Sequence, residues 1–262
     1  MTLRQWLMDP SLVRIDVDTK ERIVRHREIL LRKKMTRDVF FELYKSLETM
    51  DERFLSAAGA RIEIGAGSSL IKDLMPDVET TDLVPYDGLD RVVDAMSMPY
   101  EDNTLRTIFA VHCFHHLPDP YKFLSELERT CAPGGGAVII EPYYGPVASF
   151  LYKRLFSNEY FDKNGSATTA YSGPMSEANQ ALSYIVFNRE RKYFNLKHPN
   201  LEIVHSEPLT NYIRYLCSGG VNFRQLLPNF SIPALQLAEG LLSPLASFLA
   251  LHQIIVLRKK GN

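Results

Sequence analysis

The chain has 262 residues, 45% of them hydrophobic, and a formal net charge of -1. That length and apolar content suit one sizeable α/β core, and the near-neutral balance supplies no global field for nucleic acid and no block of like charge typical of a disordered tail. Cys113, Cys131 and Cys217 are widely spaced and odd in number, which excludes a C-x-x-C zinc or redox pair and predicts reduced thiols in a cytoplasmic protein.

Residues 1–59 read as helices. Residues 20–37 are rich in Lys and Arg, with Ile23, Val24, Leu30, Leu31 and Met35 near one helical face. This predicts a helix laid over a sheet or cleft, with a basic amphipathic helix on an anionic membrane surface as the alternative. A second helix, 39–50, gathers Phe40, Phe41, Leu43, Tyr44 and Leu47, a core stripe or an acceptor pocket. No uninterrupted apolar run follows a basic start, so no signal peptide is expected.

From 61 the pattern changes. Residues 61–64 form a short strand candidate, and Gly65-Ala66-Gly67-Ser68-Ser69 precedes the apolar Leu70, Ile71 and Leu74. Paired glycines allow a sharp turn and close approach of backbone to ligand, and a following helix would offer its unpaired N–H groups. Asp82 closes a second strand candidate, 78–81, near the roughly 20-residue offset at which an acid takes ribose hydroxyls. A third, 89–93, ends in Asp94-Ala95 and leads to Met98-Pro99-Tyr100; an acid here can accept a hydrogen bond from an exocyclic amine.

Residues 107–111 are a continuous apolar run, as in a strand buried on both faces, and deliver His112-Cys113-Phe114-His115-His116 to the sheet's carboxyl edge. An amphipathic helix with Phe123, Leu124, Leu127 and Cys131 on one face follows, with Pro133-Gly134-Gly135-Gly136 as its stop. Residues 137–140 form the next strand and end at Glu141-Pro142-Tyr143-Tyr144.

The ordered set Glu63-Ile64-Gly65-Ala66-Gly67, Asp82, Asp94-Ala95 with Met98-Pro99-Tyr100, His115-His116-Leu117-Pro118-Asp119-Pro120 and Ala132-Pro133-Gly134-Gly135-Gly136 resembles a class I S-adenosylmethionine-dependent methyltransferase. The resemblance implies a Rossmann-like, doubly wound seven-stranded sheet whose last strand is antiparallel. It further implies S-adenosyl-L-methionine as cofactor, held by Glu63, Gly65, Ala66, Gly67, Asp82, Leu83, Asp94, Ala95, Met96, Val111 and His112. Ser69 stands where such proteins usually carry a third small turn residue, which implies a tighter loop or a differently packed helix. The implied organisation is an N-terminal helical cap, 1–59, and a methyltransferase domain, 60–262, with acceptor-site insertions near 146–200 and 207–252.

Beyond Glu141 the last two strands are expected at 201–205 and 253–257. Three blocks, 158–162, 171–190 and 215–224, are similar to a poorly characterised bacterial subgroup of these methyltransferases. Between Arg224 and Arg258 only Glu239 carries a full charge, and Pro228, Pro233, Gly240 and Pro244 interrupt the apolar run. A spanning helix needs roughly 20 consecutive apolar residues, so the expectation is a helical pair packed on the sheet or a second subunit, or an interfacial surface that docks on lipid.

The implied activity is methyl transfer to O or N of a small-molecule or lipid-linked acceptor, such as a cell-envelope glycan precursor. The enzyme would be cytoplasmic, with peripheral contact at the inner membrane face and no nucleic-acid partner. His115, His116 and Glu141 are the candidate catalytic residues, and Tyr143, Glu159 and Asn179 the candidate substrate contacts. No metal is expected, because His112, His115, His116 and Asp119 lack a recognised ligand spacing. The alternatives are a non-catalytic binding or scaffolding protein and an NAD(P)-dependent oxidoreductase. The latter would require G-x-G-x-x-G, which Leu70 leaves incomplete.

Overall fold

The computed structural model describes residues 3–155, 159–169 and 178–261. Seven strands form one sheet in the order β3-β2-β1-β4-β5-β7-β6. They are β1 (Ala60–Ile64), β2 (Glu79–Asp82), β3 (Arg91–Val92), β4 (Leu105–Val111), β5 (Cys131–Pro142), β6 (Leu201–Pro208) and β7 (His252–Lys259). Strands β1 to β5 pair in parallel, and β7 runs antiparallel to both β5 and β6. The expected doubly wound sheet with an antiparallel last strand is therefore present.

The helices are α1 (Leu3–Leu7), α2 (Lys20–Arg32), α3 (Lys34–Phe54), α4 (Pro120–Thr130), α5 (Pro146–Leu155), α6 (Leu182–Tyr184), α7 (Arg191–Lys197), α8 (Tyr212–Ser218), α9 (Ile232–Leu242) and α10 (Ala246–Leu249). Strand alternation divides the core. Ile108, Ala110, Ala137 and Ile139 face the side of α4 and Phe194, whereas Phe109, Val138 and Ile140 face α3. The aromatic stripe of α3 is chiefly core, with Leu43, Tyr44 and Leu47 buried against β5 and β7, while Phe40 and Tyr44 also line a cavity at the sheet's carboxyl edge. Residues 34–54 thus supply one of the two helical layers.

Several expectations change in detail. The basic stretch 20–37 is two helices, broken at Lys33, whose backbone leaves the helical region. The Lys33 ammonium turns inward to the carbonyls of Ser218, Gly220 and Phe223, tying the break to a distant loop. Leu30 and Met35 are buried, but Val24 and Leu31 lie exposed. The cations of α2 have partners within the chain: Arg22 reaches Asn222, Arg27 the Ser69 carbonyl, and Arg32 Asp9.

No α-helix follows the glycine turn; Ile71–Asp73 form one 3-10 turn. Leu70, Ile71, Met75 and Val78 instead drop into the α3 cluster, and Pro76 ends any helical continuation before β2. The third strand is shorter than expected. The glycine run after α4 lies within β5, as a register shift against β4. Gly136 is needed there because a Cβ would lie 1.9 Å from the Leu257 carbonyl oxygen.

Candidate functional site

The carboxyl edge of β1, β2 and β4 forms one half of a cleft. Gly65 has φ +60°, and a Cβ on it would meet Cys113 Sγ at 2.3 Å, so loop and strand-end backbones close to a distance only glycine allows. Gly67, at φ +44°, donates its N–H to Asp82 Oδ2 at 2.8 Å, and Val84 N–H donates to Asp82 Oδ1 at 2.9 Å. These bonds aim the carboxylate across the turn. Burial raises the pKa of Asp82 even against them.

Glu63, at 1% exposure, is pushed up to about 8 by burial, opposed by a Ser69 hydrogen bond and reinforced by the charge of Asp82. Its Oε2 has no partner among the described residues. Ser69 replaces the missing helix cap: its Oγ accepts the Ile71 N–H at 3.0 Å and its carbonyl accepts from Arg27 of α2. Asp94 Oδ1 accepts Met96 N–H at 2.8 Å. Asp82, Leu83, Asp94, Ala95 and Met96 line a cavity of about 130 Å³ with Gly65 and Gly67.

A second cavity, of about 180 Å³, shares Gly65, Gly67, His112 and His116 with the first and continues it towards β5 and β7. Ala66 and Val111 also line it, and Ile23 and His26 of α2 cover it. Its polar centre is His115. His115 Nδ1 lies 2.7 Å from Glu141 Oε2, while Glu141 Oε1 accepts the Phe114 N–H at 2.9 Å. His115 Nε2 lies 3.7 Å from Glu159 Oε2, and Gln180 Nε2 donates to the same oxygen.

Burial opposes charge on His115, but Glu141 and then Glu159 outweigh it and raise the imidazole to about 10. Burial would raise Glu159 too, yet its hydrogen bond and ion pair with His115 bring it down to about 2. His112 and His116 are each lowered to about 3, first by burial and then by the charge on His115. Burial likewise drives His252 far down. One imidazolium therefore sits among neutral imidazoles. His112 Nε2, His116 Nδ1 and His252 Nδ1 are buried without partners among the described residues. His112 has φ 53°, a conformation costly for a residue with a side chain. It sets the ring edge-on to His252, with centroids 4.6 Å apart.

The structure brings His115, His116, Glu141 and Glu159 together, but in unequal roles. Glu141 is fully buried behind His115, so it acts on the cavity through the imidazole. Tyr143 is outside the cavity lining, in the apolar cluster with Ala148 and Leu251. Asn179 is consumed locally: its Oδ1 accepts from Asp162 N–H and Ala181 N–H, and its Nδ2 donates to the Asp162 carbonyl. The adjacent Gln180 takes the place expected of it. Asp119 caps α4 rather than facing a ligand. Ligand atoms of His115, His116 and Glu159 lie within 4.8 Å of one another, close enough to meet one cation, although the sequence spacing had implied no metal. Asn158 and residues 171–177 of the subgroup blocks lie outside the described residues.

The sequence reading missed Tyr152, Gln180, Tyr215 and His252 as cavity residues. The amide pair at 179–180 was a usable signal, since it directly precedes the apolar run 181–187 and both side chains are buried. Nothing local marks His252, which is the first residue of β7.

Comparison with known proteins gives a family and a fold. A family described as "Methyltransferase domain" matches residues 72–139. Ajmaline N-methyltransferase of Rauvolfia serpentina is 39% identical over 86 residues, covering 32% of this chain and 30% of that protein. The chloroplastic tocopherol O-methyltransferase of Arabidopsis thaliana is 38% identical over 50 residues, covering 19% of this chain and 14% of its own length. The chain thus aligns with less than a third of the curated relatives it matches.

In fold, it superposes with a TM-score of 0.51 and 14% identity on a chain from the complex of the Haloferax volcanii Trm112 methyltransferase activator and its methyltransferase. The superposition covers 95% of this chain and all of the other. Residues 72–139 thus match a methyltransferase domain, and the chain as a whole shares the Rossmann-like fold of that methyltransferase complex.

Proposed function

We propose that this chain transfers a methyl group from S-adenosylmethionine to oxygen or nitrogen of a small-molecule or lipid-linked acceptor. The observation that carries the reading is the buried Glu141–His115–Glu159 chain, whose His115 and Glu159 line the cavity that continues the one under the glycine turn. The residues fit the cofactor. Asp82 is aimed by two N–H groups while its carboxylate keeps capacity for ribose hydroxyls. Asp94, Ala95 and Met96 line a slot for a base, and the unpaired Glu63 Oε2 lies beside the glycine turn, where an ammonium group would satisfy it.

When bound, the cofactor supplies an electrophilic methyl carbon. What remains for the protein is to hold a nucleophile in line, exclude water and release one proton. Glu159, held ionised by His115 and lining the cavity, is placed to accept a hydrogen bond from a hydroxyl or ammonium and so orient the nucleophile. At about 2 its carboxylate is too weak a base to hold the proton, which passes to solvent. His115 is anchored through Nδ1 on Glu141 and forms an ion pair from Nε2 to Glu159 at 3.7 Å, which fixes the position of the Glu159 carboxylate. The neutral His112, His116 and His252 offer hydrogen-bonding nitrogens to the acceptor without adding positive charge.

Calorimetry tests the cofactor half. Wild type should bind S-adenosylmethionine and S-adenosylhomocysteine, and Asp82→Ala should bind roughly tenfold more weakly or worse, as expected for loss of hydrogen bonds to a charged group. Equal binding by the variant would sink the assignment. Incubation with methyl-labelled cofactor and separated aqueous, lipid and macromolecular fractions tests transfer. Binding without label in any fraction would assign the chain to the scaffolding alternative. We further propose a cytoplasmic protein with peripheral membrane contact, a reading supported by the free thiols of Cys113, Cys131 and Cys217 and by the exposed Leu237, Leu241 and Phe248 of α9 and α10.

A further inference from the structure

Residues 229–249 form an arc of two short 3-10 turns, α9 and α10 that is long and apolar enough, by length and composition, to cross a membrane. The fold uses it otherwise. Ile232, Glu239 and Ala246 recur at helical spacing on the inner side and are buried. Glu239, the arc's single charge, accepts from the Arg214 backbone at 2.8 Å and pairs with its guanidinium at 2.5 Å. Arg214 also pairs with Glu42 of α3, which pins the arc to the body.

The outer side bears Phe230, Leu237, Leu241, Leu245 and Phe248, exposed by 85%, 67%, 74%, 52% and 54%. This is a contiguous apolar ridge with no charge on it, well beyond the scattered exposed hydrophobics of ordinary surfaces. Pro233 and Pro244, with the breaks at each end, suit an arc lying along an interface better than a helix standing across one.

Two further observations say what covers the ridge. First, its borders are basic. Helix α5 packs on α10 and carries the exposed Lys153 and Arg154 beside an exposed Phe150, and Arg224 is exposed at the start of the segment leading into the arc. Neither α1 nor α5 contains an acid. Second, a cavity of about 280 Å³ lies behind this border, lined largely by apolar groups that include Leu7, Leu151, Leu216, Leu226 and Leu251. It shares Tyr152, Tyr215, Val221 and Asn222 with the cavity that holds His115. The Lys33 contacts to the 218–223 carbonyls hold its wall in place.

We propose that the 229–249 arc docks on an anionic lipid surface, with Phe230, Leu237, Leu241 and Phe248 in the acyl boundary and Lys153, Arg154 and Arg224 at the headgroups. The cavity behind it then receives the apolar chain of an acceptor drawn from that surface, whose polar end reaches His115 and Glu159. This rests on the methyl-transfer reading for the acceptor's chemistry, but not for the docking itself. Apolar burial and cationic attraction add in such binding, and each is separately removable.

The experiment is cosedimentation of the full chain with vesicles of phosphatidylcholine alone or mixed with phosphatidylglycerol, at low and high salt. Wild type should pellet with the anionic vesicles at low salt and roughly tenfold less well at high salt or without the anionic lipid. Combined Phe230→Ser, Leu237→Ser, Leu241→Ser and Phe248→Ser, all at exposed positions, should abolish pelleting while leaving the cofactor dissociation constant unchanged. Wild type that stays in the supernatant, or a variant that pellets equally, overturns the proposal. So does a stable wild-type dimer in analytical ultracentrifugation that the four substitutions dissociate, since a second copy would then own the ridge. Cofactor binding without vesicle binding overturns this inference alone; vesicle binding without cofactor binding overturns only the methyl-transfer reading.

Discussion

The wall of the cleft assigned to the cofactor draws Glu63, Gly65, Gly67, Asp82 and Asp94 from one run of chain, whereas the opposite wall takes His26, Tyr152, Glu159, Gln180, Tyr215 and His252 from segments spread between α2 and β7. The first wall is held by backbone: N–H groups of Gly67, Val84 and Met96 set its carboxylates. The second is held by side chains, through the links Glu141–His115–Glu159–Gln180 and Arg22–His26–Asn222. A backbone-built wall follows from local chain geometry and tolerates change in distant residues. A side-chain-built wall exists only when remote segments arrive together, and each member is exposed to substitution.

The comparison can be broken most sharply at Gly65. Gly65→Val forces a β-branched residue into φ +60° and into Cys113, and should weaken cofactor binding by roughly 100-fold or more. Calorimetry measures this, with circular dichroism to confirm the fold. Retained affinity would mean that the turn does not approach the ligand.

On the other wall, Glu141→Gln should leave cofactor affinity within about twofold and lower kcat by roughly 100-fold, because His115 loses its anchor but the cofactor wall is untouched. The same variant has a signature in pH. The folded pKa of His115, about 10, exceeds its unfolded value near 6.5. Its stabilising contribution is therefore complete below about pH 6.5 and disappears as pH rises through about 10. The melting temperature of wild type should fall more between pH 7 and pH 10.5 than that of Glu141→Gln.

Asn179→Ala removes the side chain that holds the backbone of Asp162 and Ala181. A loss of about 1–3 kcal/mol in denaturant unfolding is expected, with cofactor binding unchanged; a purely substrate-binding Asn179 would instead leave stability alone. The smallest effect sharpens the cofactor wall. Glu63 titrates near 8 when burial is its chief influence, with Asp82 adding to the shift and Ser69 opposing it. Its raised pKa means the ionised form costs stability as pH climbs from its ordinary value through about 8. A cationic cofactor recovers that cost, so affinity should rise about tenfold between pH 6.5 and 8.5. Glu63→Gln should flatten the slope.

Much of this was legible in the chain. The strand ends at Ile64, Asp82, Val111 and Glu141 carry their own signals, since a buried parallel strand is a continuous apolar run and the residue following it falls at the carboxyl edge. Lys33 shows what was not. Periodicity runs through it, so 20–37 looks like one helix, but a remote loop presenting carbonyls to its ammonium group makes a break at that residue favourable. The 3-10 turn after Ser69 has the same origin. Leu70 and Ile71 had apolar spacing fit for a helix, and α3, a preceding segment, supplied a surface that drew them down instead.

The strands, the glycine turn and the acids of the cofactor wall could be read from the amino-acid sequence by itself, because each carries a signal within a few residues: an apolar run, a glycine pair or an acid at a strand end. Only the tertiary structure decided that Glu141 stands behind His115, that Gln180 rather than Asn179 faces the cavity, and that Glu239 turns inward to leave an uncharged ridge outside. Those outcomes depend on which charges are desolvated together and which find partners. Burial couples groups that lie far apart along the chain, and no local pattern encodes such a pairing.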